Sequence, residues 1–323
     1  MRNADGAARP ENKRTEAPAK LIRGERHCIA RGKAGYPAAF AGIPRPPAQL
    51  YVVGSLQALS EGIAIIGARK ATPYGRGCAR HFARMAAEQG VCVISGGALG
   101  CDSEAHRGAL EAAGRTVVFL GGGCDRVYPA RNLPLFQEIV DAGGAIVSEQ
   151  DWETPPLPWM FRERNRLIAG LAKATLVIEA GLPSGTFGTA DDALAAGKDV
   201  LAVPSAITSA TSAGANRLIA QGAVPIIDDE SFESALTLLF GTLRREAPAN
   251  RLSAASDNPL LAALMAAPMR TDELMNEGFA QSPAHLALSL AHLENAGFIE
   301  RYPDGRYGPS QAFIQNGAAS GTR

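Results

Sequence analysis

One construction occurs twice between Gly62 and His106, and it limits the possible folds more than anything else in the chain. Apolar runs, Ile63 to Ile66 and Val91 to Ile94, stop at small residues, Gly67-Ala68 and Ser95-Gly96-Gly97, and a helical pattern follows each stop. A short apolar run ended by Gly and followed by a helix is the βα unit of a parallel sheet. Small residues at such a turn admit a second backbone or a phosphate to the helix N-terminus, where unpaired N–H groups and the helix dipole favour negative charge. The ligand is therefore expected here.

Charge sharpens that expectation. From Gly62 to Ala87 there is no Asp or Glu, while Arg69, Lys70, Arg76, Arg80 and Arg84 bring five cations. Arg76, Arg80 and Arg84 recur every four residues, so a helix over about 74–89 carries them as one stripe, either a solvated face or a basic track. Arg69 and Lys70 lie in the turn itself, and their placement points to anion binding.

Five more apolar runs, Thr116 to Leu120, Ala145 to Val147, Leu176 to Ile178, Val200 to Val203 and Val224 to Ile227, each precede a helical stretch. Seven such alternations predict an α/β chain with a Rossmann-like, doubly wound, mostly parallel sheet whose ligands sit at the carboxyl ends of the strands. Neither GxGxxG after the first strand nor GxxxxGK[ST] is present. That argues against a dehydrogenase and against a P-loop NTPase.

The 323 residues, 46% of them hydrophobic, suffice for this sheet plus a small second domain. Residues 1–35 read as a disordered tail and 36–61 as a Pro-rich extended lead-in, where Leu50 to Val53 can add a strand. The Rossmann-like domain then occupies 62–241 and a linker 242–257. Over 258–310, three short helices, the second and third capped by Thr271 and Ser282, precede a hairpin turning at Asp304-Gly305, which predicts a winged helix. Its third helix has only His285 and His292 as possible cations, so duplex DNA and protein remain equal candidates for what it contacts. Residues 311–323 read as a second disordered tail. Net charge is zero, which argues against binding nucleic acid over the whole surface but allows a local basic groove. The 26 Arg against 6 Lys fit phosphate recognition and equally fit GC-rich coding. Five cysteines without CxxC or metal-type spacing read as free thiols in a reducing compartment, and no metal or cofactor is expected. No secretory signal or apolar span is visible, so the expected location is cytoplasmic.

The ordered series IAIIGARKATPYG, VISGGALGCDSEAH, GGGCDRVYP, IVSE, FRERNRLIAGL, VIEAGLPSGTFGTA and AVPS, preceded by PPAQLYVVG, resembles the DNA-processing protein A family (DprA, also called Smf). The resemblance implies a protein without a chemical step that binds single-stranded DNA on its Rossmann-like core, forms a homodimer, and helps load the RecA recombinase in natural transformation and homologous recombination. It implies a DNA and phosphate site at Gly67 and Arg69, at Ser95 and Gly96, and at Arg164, Asn165 and Arg166; the strand-end turns and the residues beside these motifs add Lys70, Gly97, Phe161, Arg162, Ser184, Gly185 and Thr186 to the expected site. Cations and turn N–H groups hold phosphates without reading sequence. Phe161 or Trp159 offers a face for base stacking, and a core position explains Phe161 equally well. The chain departs from the family pattern at Pro156 to Trp159, where a basic residue is usual, and at Cys101, Ser205 and Ala215.

A rival reading comes from the stretch Ser184 to Asp192, which also resembles the PGGxGTxxE motif of LOG-type nucleoside-monophosphate phosphoribohydrolases. There the Gly-Thr turn holds a nucleotide phosphate, Arg164 neutralises charge and Asp192 assists glycosidic cleavage. Asp102 reads as an N-cap with His106 packed one turn later, and Glu149 and Glu179 as a possible carboxylate pair.

Overall fold

The computed structural model describes residues 21–182, 185–242 and 258–316. Its elements run β1 (Arg26–Ala30), β2 (Gln49–Gly54), β3 (Gly62–Ile66), α1 (Pro73–Glu88), β4 (Val93–Ser95), α2 (Cys101–Glu111), β5 (Thr116–Phe119), α3 (Leu133–Asp141), β6 (Ala145–Ser148), α4 (Pro158–Leu171), β7 (Ala172–Val177), α5 (Thr186–Ala195), β8 (Asp199–Ala202), α6 (Ala213–Ala220), β9 (Val224–Pro225) and α7 (Asp229–Phe240). Beyond the undescribed residues 243–257 come α8 (Pro259–Ala266), α9 (Thr271–Asn276), α10 (Pro283–Asn295), β10 (Ile299–Arg301), β11 (Tyr307–Pro309) and α11 (Gln311–Asn316).

All seven expected runs appear in one nine-stranded sheet of order β1-β2-β6-β5-β4-β3-β7-β8-β9. The seven from β3 onward are mutually parallel. β2 lies antiparallel on β6, and β1 antiparallel on β2. The central strands are continuous apolar runs because helices cover both faces. Along β3, Ala64 and Ile66 join the core beneath α4, α5 and α6, while Ile63 and Ile65 join the core beneath α1, α2 and α7, as the two-residue period requires. From β3 the chain builds outward through β4, β5 and β6, then crosses back to place β7 on the other side of β3. The carboxyl ends of β3 and β7 are therefore the switch point of the sheet, the usual place for a ligand.

Two segments read as disordered tails hold regular structure. Residues 26–30 form β1, whose Ile29 is buried, and 311–316 form α11. A five-residue strand that buries a single side chain has little local signal; its order comes from pairing with β2. Residues 1–20 and 317–323 lie outside the described residues, as does the expected linker apart from Thr242.

In the C-terminal unit, Leu260, Leu264, Leu274, Leu286, Leu290, Leu293 and Ile299 form a core of their own. The hairpin turns at Asp304-Gly305, with Gly305 at φ +86°. Ser282 caps α10 by accepting from His285 N–H, as expected. Thr271 does not cap α9. It is the first helical residue, and Arg270 precedes it with its N–H donated to the Glu273 carboxylate.

Candidate nucleic-acid interface

Two loops cross at the switch point. The turn after β3, Gly67 to Lys70, is overlaid by the turn after β4, with Cys101 N–H donating to the Ala68 carbonyl at 3.2 Å. Gly100 makes the crossing possible: its φ is +84°, and a Cβ there would fall 2.3 Å from the Ala68 carbonyl oxygen. Arg69 and Lys70 emerge exposed from this crossing. Among the described residues neither is recorded in an ion pair. The Arg69 guanidinium lies 5.5 Å from the centroid of the half-buried Phe161 ring, and Tyr128, 50% exposed, packs on that ring at 5.4 Å. Tyr128 was not among the expected residues. It stands in the quoted stretch GGGCDRVYP, but no spacing rule would have singled it out.

Helix α4 ties the strand ends together. Pro158 at its start tolerates the missing N–H. Phe161 faces the β3 turn, Arg162 is exposed, and Asn165 approaches Gly188 in α5. Arg164 points inward: only 5% exposed, it donates to the Gly96 carbonyl at 2.8 Å and to the Phe119 carbonyl, bracing the ends of β4 and β5. Asp102 approaches the same turn from α2, its carboxylate accepting from Gly96 N–H at 3.2 Å and Ala98 N–H at 3.3 Å. Gly96 lies between them, where a Cβ would fall 2.8 Å from both Arg164 Nη2 and Asp102 Oδ2. Burial pulls Arg164 down to about 10 against the attraction of Asp102, and pushes Asp102 up against Arg164 and the two N–H donors. Asp102 is not the N-cap of α2, a place taken by Gly100; it is the second residue of the helix, and its carboxylate reaches back to the turn before it.

Other expected site residues are likewise turned away from solvent. Ser95 is fully buried, and its hydroxyl donates to the Ile65 carbonyl at 2.7 Å, stapling β4 to β3. Gly97 is buried at φ +65°. Arg166, 8% exposed, binds both oxygens of Glu149 at 2.9 and 2.6 Å and the Glu163 and Arg45 carbonyls. Such a bidentate pair is directional and leaves few donors over. Glu149 is thus committed to Arg166, whereas Glu179 accepts from Thr72 N–H and hydroxyl, so the two do not form a carboxylate pair. Thr72 in turn caps α1. Gly185 and Thr186 open α5 beside the switch point, Thr186 mostly buried; Ser184 lies outside the described residues. His106 is buried, with Nδ1 on Thr116 Oγ1 at 2.7 Å, and burial lowers it to about 3. The stripe on α1 is internally engaged: Arg80 with Glu104 and Glu111, Arg84 with Glu88, Arg76 with the Ala71 carbonyl. Among the described residues no cluster of His, Cys, Asp and Glu can hold a metal ion, and no helix is long and apolar enough to cross a membrane.

Residues 27–237 match the family model described as DNA recombination-mediator protein A. The chain is 34% identical over 287 residues to Protein Smf of Escherichia coli K12, covering 86% of this chain and 76% of that one. It is 36% identical over 193 residues to DNA processing protein DprA of Bacillus subtilis, covering 59% and 65%. Its fold superposes on DprA of Helicobacter pylori with a TM-score of 0.61 at 30% identity, over 69% of this chain and all of that one, in a structure described for its single-stranded DNA binding mode. DprA of Streptococcus pneumoniae superposes with a TM-score of 0.60 at 29% identity, over 65% and 74%. With the matched region spanning the whole nine-stranded sheet and both crossing loops, the chain belongs to the DprA/Smf family, the DNA recombination-mediator protein A family.

Proposed function

We propose that this chain binds single-stranded DNA along the switch point of its sheet, without a chemical step. The observation that carries this reading is the exposed Arg69-Lys70 turn beside the Phe161 and Tyr128 rings. Cations without a carboxylate partner are available to phosphates, and adjacent aromatic faces suit unstacked bases more than duplex. Lys70, Arg162, Asn165 and the α5 N-terminus at Gly185 and Thr186 continue the surface. Ser95, Gly96, Gly97, Arg164 and Arg166 act from below, as the frame that positions the turns. The relatives named for DNA processing, and the Helicobacter pylori protein described as binding single strands, support the same reading.

RecA loading, a homodimer and a cytoplasmic location complete the proposal. The dimer surface is assigned to the exposed apolar residues Val224 of β9, Ile227 just after it and Leu238 of α7, which are 48, 70 and 86% exposed. The C-terminal unit is read as a winged helix. Glycosidic cleavage is disfavoured because the Arg164 donors are held by backbone carbonyls, and Asp192 lies within the electrostatic reach of Arg166, Glu163 and Arg45 instead.

Fluorescence anisotropy of a labelled oligo-dT against a duplex of equal length tests the reading. Salt-sensitive binding that prefers the single strand is expected; equal or stronger duplex binding contradicts it, and release of free base from nucleoside monophosphates would establish the enzyme instead. Stimulated RecA filament assembly on the bound strand is the matching assay for loading, and no stimulation would remove that part.

A further inference from the structure

The C-terminal unit carries a groove lined by none of the switch-point residues. Between α9 and α10 lies a groove of about 300 Å³ lined by Met275, Leu286, Ala287, Leu290, Ala291 and Tyr307 among others. Ala287 and Ala291, one turn apart and exposed, leave its floor shallow enough for a helix to approach closely. Leu288, 71% exposed on the same helix, extends the apolar surface. No Arg or Lys lies anywhere on α10.

The groove is also acidic. Asp272 and Glu294 line it, and no cation does. Over residues 258–316 the acids Asp272, Glu273, Glu277, Glu294, Glu300 and Asp304 outnumber Arg270, Arg301 and Arg306. Arg306 is bound to Asp304, and the Arg301 guanidinium stacks over the Tyr307 ring, 6.0 Å from its centroid. A phosphate backbone would meet net repulsion here, with no donor on α10 to offset it. Small residues at the floor, large apolar walls and acids along the lining are instead complementary to an amphipathic helix with Lys or Arg beside its apolar stripe.

We propose that the α9–α10 groove is a protein-docking site for a cationic amphipathic helix of a partner protein. The site lies outside the sheet, and the proposal stands independently of the single-stranded DNA reading. Two labelled synthetic helices of about 15 residues, with Leu at i, i+3, i+4 and i+7 and either Lys or Glu on the flanks, are titrated into the full chain. The Lys helix is expected to bind at least about tenfold tighter than the Glu helix. Replacing the floor without changing charge, A287Q with A291Q, should weaken it about tenfold, and E294K alone should erase or invert the preference. Because E294K alters one exposed side chain, the test survives if the double variant fails to fold. The proposal is overturned if the two helices bind alike or if E294K leaves the preference intact.

Discussion

At the scale of single residues, the motif cations divide by burial into those that face solvent and those that hold the frame. Arg69 and Lys70 face solvent, while Arg164 spends its hydrogen bonds on the Gly96 and Phe119 carbonyls. Replacing Arg164 with Met strands two buried carbonyls and leaves Asp102 without its nearby cation, which costs about 3 kcal/mol or more. A urea midpoint well below that of the parent protein is the expected result, and an unchanged midpoint would remove Arg164 from the frame. Both carbonyls are met by one nitrogen, Nη1, so R164K, whose ammonium keeps the charge and carries three donors, should restore part of the loss. In the sequence Arg162, Arg164 and Arg166 are equivalent members of one cationic run. Helix phase turns Arg164 to the side of α4 opposite Arg162, whereas Arg166 shares the face of Arg162 and is buried by its tertiary partners, Glu149 and the Arg45 carbonyl. Ser95 was equally opaque: a Ser after a strand suits a phosphate turn, yet its hydroxyl points back to Ile65.

At the scale of elements, each βα unit was legible because buried parallel strands announce themselves as apolar runs stopped by Gly. The edge strand β1 was not, because it buries one side chain only, Ile29, and gains its order from β2. The stripe on α1 misled for a related reason. Its spacing is that of a basic track, but Glu104 and Glu111 come from α2, a helix that sequence distance does not place beside it. Helix α2 is also pinned to β5 through His106 and Thr116. With His106 lowered to about 3 in the folded chain against 6.5 when unfolded, the unfolded state binds more protons between those values. Stability from this group is therefore full above pH 6.5 and lost as pH falls towards 3. H106Q, which keeps a hydrogen-bonding side chain but cannot titrate, should flatten the acid limb of a stability-against-pH curve. An acid limb identical to that of the parent would assign the acid sensitivity to other groups.

At the scale of the whole molecule, a chain of zero net charge still sets two exposed cations, Arg69 and Lys70, at the crossing of the β3 and β4 turns at the switch point. Topology puts that crossing beside α4 and the start of α5, so residues about 100 positions apart in sequence border one surface. The exposed Val224, Ile227 and Leu238 belong to β9, the turn after it and α7, and L238D should convert a dimer to a monomer by light scattering; an unchanged mass would place the dimer contact on another face. The most direct measurement of the central claim is the salt dependence of oligo-dT affinity for the parent protein and for R69A. The account predicts weaker binding by R69A on every oligonucleotide sequence and a log–log salt slope shallower by about one. Identical affinity and slope would contradict it and put the DNA somewhere other than the switch point.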